Sequence, residues 1–228
     1  MPGVGRVIDL FIVLAQRCPP SIMKKLKQII QTVKASTDDS PGLNDLLWQL
    51  ICYSPKMPVR MRQQQLLDES EKHSLYALDE FFVKRDLLFN TFKWGSGSKR
   101  IIITHGWGSK AADFSELITA LREIPDTEII AFDAPGNGSS EGELSNLELY
   151  VHAVAAIIKH YGKPDVMIGH SLGGITNVMA VAQTGVPRRY SLASRRLSGC
   201  RSTLRPACRQ QGCRRHRSKF ILKVLKKW

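Results

Sequence analysis

The chain has 228 residues, enough for one domain with a sizeable buried core. Lysine and arginine total 33 and aspartate and glutamate total 20, and the resulting charge of +13 would ordinarily favour a nucleic-acid or anionic-membrane partner. The excess is local, because residues 187–228 hold 14 basic and no acidic side chains, which leaves 33 − 14 = 19 basic against 20 acidic in residues 1–186. This near-neutral body excludes general nucleic-acid binding as the role of the domain, and we expect no specific nucleic-acid partner.

The five cysteines form no evident disulfide framework, since two lie in the body and three in the basic stretch. That usage indicates a reducing setting. The apolar run at residues 7–15 is interrupted by Asp9 and is much shorter than the roughly 20 residues of a membrane-spanning helix. The following Gln16-Arg17-Cys18-Pro19 is a poor signal-peptidase site. We therefore expect no export, no transmembrane segment and a cytoplasmic location.

The N-terminal segment, residues 1–80, is predicted to be helical. Residues 22–34 repeat apolar side chains at helical spacing with lysines between them, the pattern of a basic amphipathic helix. Such a helix packs on the domain or, in a second interpretation, binds weakly to an anionic lipid surface. Residues 43–52 favour another helix, which the prolines after it end, and residues 59–80 look helical and polar.

Residues 81–186 alternate strand patterns with helix patterns. Strands are expected at 86–94, 101–104, 129–132 and 166–168, and helices at 112–123, 146–161 and 172–183. The last three strands are short, apolar runs of the kind found in strands that are covered on both faces. This alternation predicts an α/β fold with a parallel sheet, flanking helices and right-handed crossovers.

The motif that carries chemistry is Gly169-His170-Ser171-Leu172-Gly173, a match to GxSxG. It lies between a predicted apolar strand and a predicted helix, which is the context that gives the motif its meaning. The tight turn strains the backbone of the serine, and glycines flank it because larger side chains would be crowded out. Ser171 is thereby exposed above the sheet at a helix N-terminus, which favours developing negative charge. Ser171 is the candidate nucleophile.

Acyl transfer also needs backbone N–H groups that stabilise the oxyanion of the tetrahedral intermediate. One candidate donor is the amide of Leu172, directly after the nucleophile. The other lies in His105-Gly106-Trp107-Gly108, the loop after the strand at 101–104, and is expected to be the amide of Trp107. Gly106 allows the backbone to turn sharply at that point.

Three motifs in this order resemble those of the α/β-hydrolase family, particularly its bacterial esterase-like and lipase-like members. They are Thr104-His105-Gly106-Trp107, the run from Phe132 to Ser140, and the run from Gly169 to Gly174. The resemblance covers roughly residues 86–185. It implies the α/β-hydrolase sheet and a serine hydrolase that acts on small-molecule, ester-like acyl substrates without a cofactor or a metal.

The resemblance also implies roles for individual residues. Ser171 would be the nucleophile, with Trp107 and Leu172 as the oxyanion donors. The other motif positions would support the loops rather than react, and these are His105, Gly106, Gly169, His170 and Gly173. Asp133 belongs to a structural turn in the family pattern, so we do not assign it as the acid of the catalytic triad.

The triad acid and base are not identifiable in this sequence. The family's order is serine, then an acid, then histidine, with the last two on later loops. After Asp165 the remaining 228 − 165 = 63 positions hold no aspartate or glutamate, and His216 is the only histidine after the GxSxG motif. We therefore predict that Ser171 is poorly activated in this chain.

Residues 187–228 are expected to form a basic, disordered tail. It is interpreted as the frame-shifted end of a longer hydrolase, as a genuine tail that binds nucleic acid or acidic membranes, or as a metal site without the usual CxxC pair. The candidate ligands of that site are Cys200, Cys208, Cys213 and His216. If no strand follows residue 186, the strand at 166–168 becomes a bare sheet edge. The competing function is a non-catalytic α/β-hydrolase-like protein that binds through its tail.

Overall fold

The computed structural model describes residues 20–36, 41–185 and 191–194. Its helices are α1 (Pro20–Ala35), α2 (Leu43–Cys52), α3 (Met61–Asp68), a 3-10 helix (Ala111–Phe114), α4 (Ser115–Leu121), α5 (Leu147–Tyr161) and α6 (Leu172–Thr184). Its strands are β1 (Glu71–Asp79), β2 (Arg85–Trp94), β3 (Lys99–Thr104), β4 (Thr127–Asp133), β5 (Val166–His170) and β6 (Ser191–Ser194). Among these residues no helix is long and apolar enough to cross a membrane.

The strands form one sheet in the order β1-β2-β4-β3-β5-β6. The four strands from β3 to β6 are parallel, with Ile102 of β3 opposite Ile130 of β4 and Met167 of β5. β1 and β2 pair antiparallel, and so do β2 and β4. The predicted parallel sheet is correct for the expected strands β3, β4 and β5, and wrong for the expected strand β2, which forms an antiparallel hairpin with β1. The link between those two strands is too short for a parallel crossover, which needs a dozen or more residues.

β1 lies in the segment that the sequence analysis interpreted as helical. That interpretation is wrong for residues 71–79, which pair along their whole length with β2. Ala77 and Asp79 are buried on the inner face, whereas Tyr76 and Leu78 are exposed on the outer face. Because these outward side chains are apolar, the segment lacks the alternation of apolar and polar residues by which a half-buried strand is recognised. β1 belongs to the sheet, so the domain boundary expected at residue 80 falls inside a hairpin.

β6 lies in the segment expected to be a tail. It pairs in parallel with β5, from Met167 opposite Ser191 to His170 opposite Ser194. The expected bare edge at residues 166–168 is therefore wrong. Strand pairing requires only backbone N–H and C=O groups, so an apolar run was not needed there. Residues 195–228, with the cysteine and histidine metal hypothesis, lie outside the described residues.

Apolar clusters cover both faces of the sheet. One cluster packs α5 and α6 on the first face, and the other packs α3, the 3-10 helix and α4 on the second. Along β3, Ile102 joins the first cluster while Ile101 and Ile103 join the second, as the alternation of strand side chains requires. Because both faces are covered, every residue of β4 is buried.

A third apolar cluster holds the N-terminal helices together. The helix predicted over 22–34 is α1, and its buried side chains Leu26, Ile30 and Val33 pack with Leu50 of α2. This agrees with the first interpretation of that pattern, a helix packed on the domain. The exposed Lys24 and Lys27 lie on the remaining surface of α1.

The sheet brings the three sequence motifs together at the end where the parallel strands have their carboxyl termini. β3, β4 and β5 are adjacent and parallel, so their carboxyl ends meet at the same edge of the sheet. Thr104 at the end of β3 lies opposite Gly169 of β5. The loop after β3 and the turn after β5 are therefore neighbours, in the crevice where parallel α/β sheets usually bind ligands.

Candidate active site

Ser171 stands at the turn between β5 and α6, with a φ of 53° and a ψ of −117°. A positive φ strains any residue that has a Cβ atom. The Ser171 carbonyl accepts a hydrogen bond from the Gly174 N–H at 3.0 Å, which leads the chain directly into α6. The Ser171 side chain is exposed. The strained strand-to-helix turn expected from GxSxG is thus present, with the serine at its tip.

The glycines around Ser171 allow three backbone segments to meet. A Cβ atom on Gly169 would lie 2.5 Å from the Gly173 carbonyl oxygen. A Cβ atom on Gly173 would lie 2.5 Å from the His105 carbonyl oxygen and closer still to that of Thr104. Because these neighbours are backbone atoms, they cannot rotate away. The glycines therefore let α6 approach both β5 and the end of β3.

The loop after β3 runs beside the serine. A Cβ atom on Gly106 would lie 2.9 Å from the His170 carbonyl oxygen and 3.3 Å from the Ser171 Cβ atom. The Ser109 N–H donates to the Gly106 carbonyl at 3.2 Å and closes a turn in which Gly108 has a φ of 63°. Gly106 thus permits the contact between this loop and Ser171.

Two backbone amides beside Ser171 are available as hydrogen-bond donors. Within the described part of the chain, neither the Trp107 nor the Leu172 amide donates to another residue. Leu172 is the first residue of α6, where amides have no intrahelical acceptor. Trp107 is the residue after Gly106 in the turn that contacts the serine. These are the two amides that the sequence analysis selected as oxyanion donors.

His105 lies behind the loop and is fully buried. Its Nε2 accepts from the Ala134 N–H at 2.9 Å, so the ring proton is on Nδ1, which lies 2.7 Å from the Gly106 carbonyl oxygen and donates to it. Burial lowers the pKa of His105, although the nearby Asp133 carboxylate opposes this shift. The ring is therefore neutral with both nitrogens occupied, which supports a structural role for it.

Asp133 is committed to the loops of the second motif. Its carboxylate accepts from the Ala111 N–H at 2.7 Å and from both the N–H and the hydroxyl of Ser139, at 2.7 and 2.8 Å. It thus ties the start of the 3-10 helix to the loop after β4. These contacts agree with the structural turn that the family pattern implied and leave Asp133 away from the role of a triad acid.

His170 packs between the 3-10 helix and the loop after β3. Its ring meets Phe114 edge to face, with centroids 6.3 Å apart, and its Nδ1 lies close to Gly106. The side chain is half-buried. These contacts fit the packing role that we expected of it.

Among the described residues, no acid or base that follows Ser171 in the chain lies beside it. The described residues after the serine, 172–185 and 191–194, contain no aspartate, glutamate or histidine. His216, the remaining histidine after the motif, lies outside the described residues.

Sequence reasoning missed Tyr150 of α5. Its hydroxyl lies 3.2 Å from the Gly106 carbonyl oxygen and 3.2 Å from His105 Nδ1. No motif marks this residue, because a tyrosine in a buried helix position has the same pattern as an ordinary core residue.

Comparison with known proteins identifies the family to which this chain belongs. Residues 101–217, slightly more than half of the chain, match the model of the Alpha/beta hydrolase family. The match continues past Gly185, where the motif resemblance ends. A probable serine hydrolase of Drosophila melanogaster is 32% identical over 96 residues, which cover 39% of this chain and 28% of that protein.

Monoglyceride lipase of Rattus norvegicus is 31% identical over 97 residues, 39% of this chain and 32% of the lipase. The chain therefore spans about a third of the length of the curated relatives that it matches. Among solved structures, the monoacylglycerol lipase of Paleococcus ferrophilus aligns with 28% identity and a TM-score of 0.41, over 46% of this chain and 42% of that one. The chain belongs to the α/β-hydrolase family of enzymes.

Proposed function

We propose that this chain carries the nucleophile half of a serine hydrolase that acts on small-molecule, ester-like acyl substrates. One observation carries the proposal, namely that Ser171 is exposed on a strained turn beside two amides with no described acceptor, those of Trp107 and Leu172. Amides pre-aimed at a developing oxyanion stabilise the transition state of acyl transfer. The relatives named as a serine hydrolase and as monoglyceride lipases support an ester as the substrate.

The reaction would begin when Ser171 Oγ attacks the carbonyl carbon of the ester. The negative charge then develops on the carbonyl oxygen, where the amides of Trp107 and Leu172 and the N-terminus of α6 are favourable partners. The hydroxyl proton must pass to a base and from it to the departing alcohol, as the ester C–O bond breaks and leaves the acyl group on Ser171. Water must later cleave this new ester and release the acid. Ser171 supplies the attacking oxygen, and the amides of Trp107 and Leu172 stabilise the developing charge. None of these groups transfers the proton.

The expected rate follows from the lack of a base among the described residues after Ser171. Removing the histidine of a serine hydrolase typically costs on the order of a million-fold in turnover, which leaves only binding and the oxyanion hole. We therefore propose that a protein of these 228 residues reacts slowly at Ser171 and turns esters over poorly.

A fluorophosphonate probe tests the nucleophile directly. We expect slow, stoichiometric labelling of the unmodified chain, no labelling of Ser171→Ala, and p-nitrophenyl butyrate hydrolysis close to the buffer background. Ser109→Ala is the matched control, because it removes a serine hydroxyl from the neighbouring loop, and among the described residues that hydroxyl bonds Asp113 alone. Labelling that persists in Ser171→Ala, or rapid serine-dependent turnover, would contradict the proposal.

The alternative is a non-catalytic member of the family that binds nucleic acid or an anionic membrane through residues 187–228. Its support is the charge of that segment, 14 basic side chains without an acidic one. On that alternative Ser171 would stay unlabelled by the probe. The cytoplasmic location inferred from cysteine usage stays a prediction.

A further inference from the structure

We propose that Tyr150 is a positioning residue of the oxyanion hole. With the His105 ring, its hydroxyl holds the Gly106 carbonyl, and this sets the direction of the Trp107 amide in the same peptide unit. Tyr150 lies on α5, outside the three sequence motifs. The inference rests on the proposed function, because it gives a role to a residue behind the proposed donor.

The Gly106 carbonyl oxygen has three donors around it. His105 Nδ1 lies at 2.7 Å, the Tyr150 hydroxyl at 3.2 Å and the Ser109 N–H at 3.2 Å. Both rings are fully buried, and they meet edge to face with centroids 5.2 Å apart. The carbonyl therefore has little freedom to rotate, because its three donors come from the loop, from the preceding residue and from α5.

A fixed carbonyl fixes the next amide. The Gly106 C=O and the Trp107 N–H belong to one planar trans peptide, so the two bonds point in opposite directions. The carbonyl faces the buried rings of His105 and Tyr150, and the amide therefore faces the other way. A Cβ atom added to Gly106 would lie 3.3 Å from the Ser171 Cβ atom, so this peptide is next to the exposed serine. Rotation of this peptide would move the donor away from the oxyanion, and donors act best when they are held in place beforehand.

The chemistry of Tyr150 suits this task. Burial raises the pKa of its phenol well above the usual value, so the hydroxyl keeps its proton and donates. The Tyr150 hydroxyl has two neighbours, His105 Nδ1 and the Gly106 carbonyl oxygen. Because Nδ1–H is itself a donor, the hydroxyl donates its proton to the Gly106 oxygen. Phenylalanine would preserve the packing and remove only this donor.

The same helix offers a matched control. Tyr161 also lies on α5, and its hydroxyl makes two hydrogen bonds, to His73 Nδ1 at 2.8 Å and Thr91 Oγ1 at 2.7 Å. It is three turns of helix away from Tyr150, roughly 16 Å along the axis. Tyr161→Phe therefore removes a comparable hydroxyl without touching the Gly106 peptide.

The test compares Tyr150→Phe with Tyr161→Phe in the full chain by two measurements. The first is the ¹⁵N–¹H resonance of the Trp107 backbone amide, which we expect to shift and to exchange faster with solvent in Tyr150→Phe alone. The second is fluorophosphonate labelling of Ser171, where we expect the maximal rate to fall about tenfold while the probe's apparent affinity is unchanged. If Tyr150 only packed the core, Tyr150→Phe and Tyr161→Phe would give the same result in both measurements.

The outcomes separate this inference from the proposed function. An unshifted Trp107 amide in folded Tyr150→Phe overturns the inference, whether or not Ser171 reacts. No labelling of the unmodified chain overturns the proposed function and leaves the amide resonance to decide whether Tyr150 positions the peptide. Should Tyr150→Phe fail to fold, site-specific 3-fluorotyrosine at position 150 keeps the ring and strengthens the donor, and a Trp107 resonance that does not move then overturns the inference.

Discussion

Ser171 concentrates the strain of the site in one residue. Its positive φ costs on the order of 1–3 kcal/mol, which the surrounding structure must offset. The offset comes from close backbone packing, since Gly169 and Gly173 let the turn rest against its neighbours without side chains between them. The strain therefore depends on residues that have no chemistry of their own.

Gly173→Ala is expected to destabilise the fold by about 2 to 3 kcal/mol, because the new methyl group would overlap two backbone carbonyls that cannot move aside. The measurement is the free energy of unfolding in urea. Gly185→Ala is the control, since no described residue lies within 4 Å of its Cβ position and its φ of +67° alone should cost about 1 kcal/mol. Equal losses in the two variants would contradict the crowding expected at Gly173.

The proposed site residues came from local sequence patterns. GxSxG predicted the turn at Ser171, and the loop after an apolar strand predicted Trp107. Tyr150 could not be predicted in this way, because it reaches the Gly106 carbonyl across 44 positions of the chain. Such a contact depends on how α5 packs on the sheet, and a single sequence does not encode that packing in any short pattern.

Among the elements, the covered strands were predictable and the edge strands were not. The central residues of β3, β4 and β5 are buried on both faces, so each strand contains a short apolar run that sequence patterns detect. β1 has apolar residues on its exposed face, and β6 has no apolar run. Neither strand was therefore predicted. The predicted helix at 112–123 begins instead with a 3-10 turn at Ala111–Phe114 and continues as α4.

The start of α5 depends on one side chain. Asn146 Oδ1 accepts the Leu149 N–H at 2.8 Å and thereby caps the first turn of the helix. Asn146→Ala should lower the free energy of unfolding by about 1 kcal/mol, whereas Asn146→Asp should retain it, because aspartate keeps the acceptor and adds a charge that suits a helix N-terminus. Guanidinium denaturation measures both. If alanine and aspartate were equally destabilising, the cap would not be what holds this turn.

At the scale of the whole molecule, the described fold has two covered sheet faces and a third cluster under the N-terminal helices. One buried side chain joins several of its parts. His105 follows β3, accepts from Ala134 after β4, and contacts Tyr150 of α5. The fold therefore requires this ring to remain neutral, since a protonated Nε2 could not accept a hydrogen bond.

The neutral His105 makes global stability depend on pH. Burial lowers its folded-state pKa below the ordinary value of 6.5, so below that pH the unfolded chain binds more protons than the folded chain. The stabilisation is fully present above about pH 6.5 and is lost as the pH falls toward the folded-state pKa. Four carboxylates have lowered pKa values and titrate below this window, and they are Asp68, Glu71, Asp126 and Glu141.

The free energy of unfolding should therefore fall between pH 7 and pH 5 in the unmodified chain. His105→Asn should be less stable at pH 7, because it loses the ring contacts, but its stability should change little across the same window. The difference between the two slopes, measured by urea denaturation at half-unit steps, isolates the histidine. Parallel curves would mean that another group controls the acid sensitivity, and that the bond from Ala134 to His105 does not require the neutral ring.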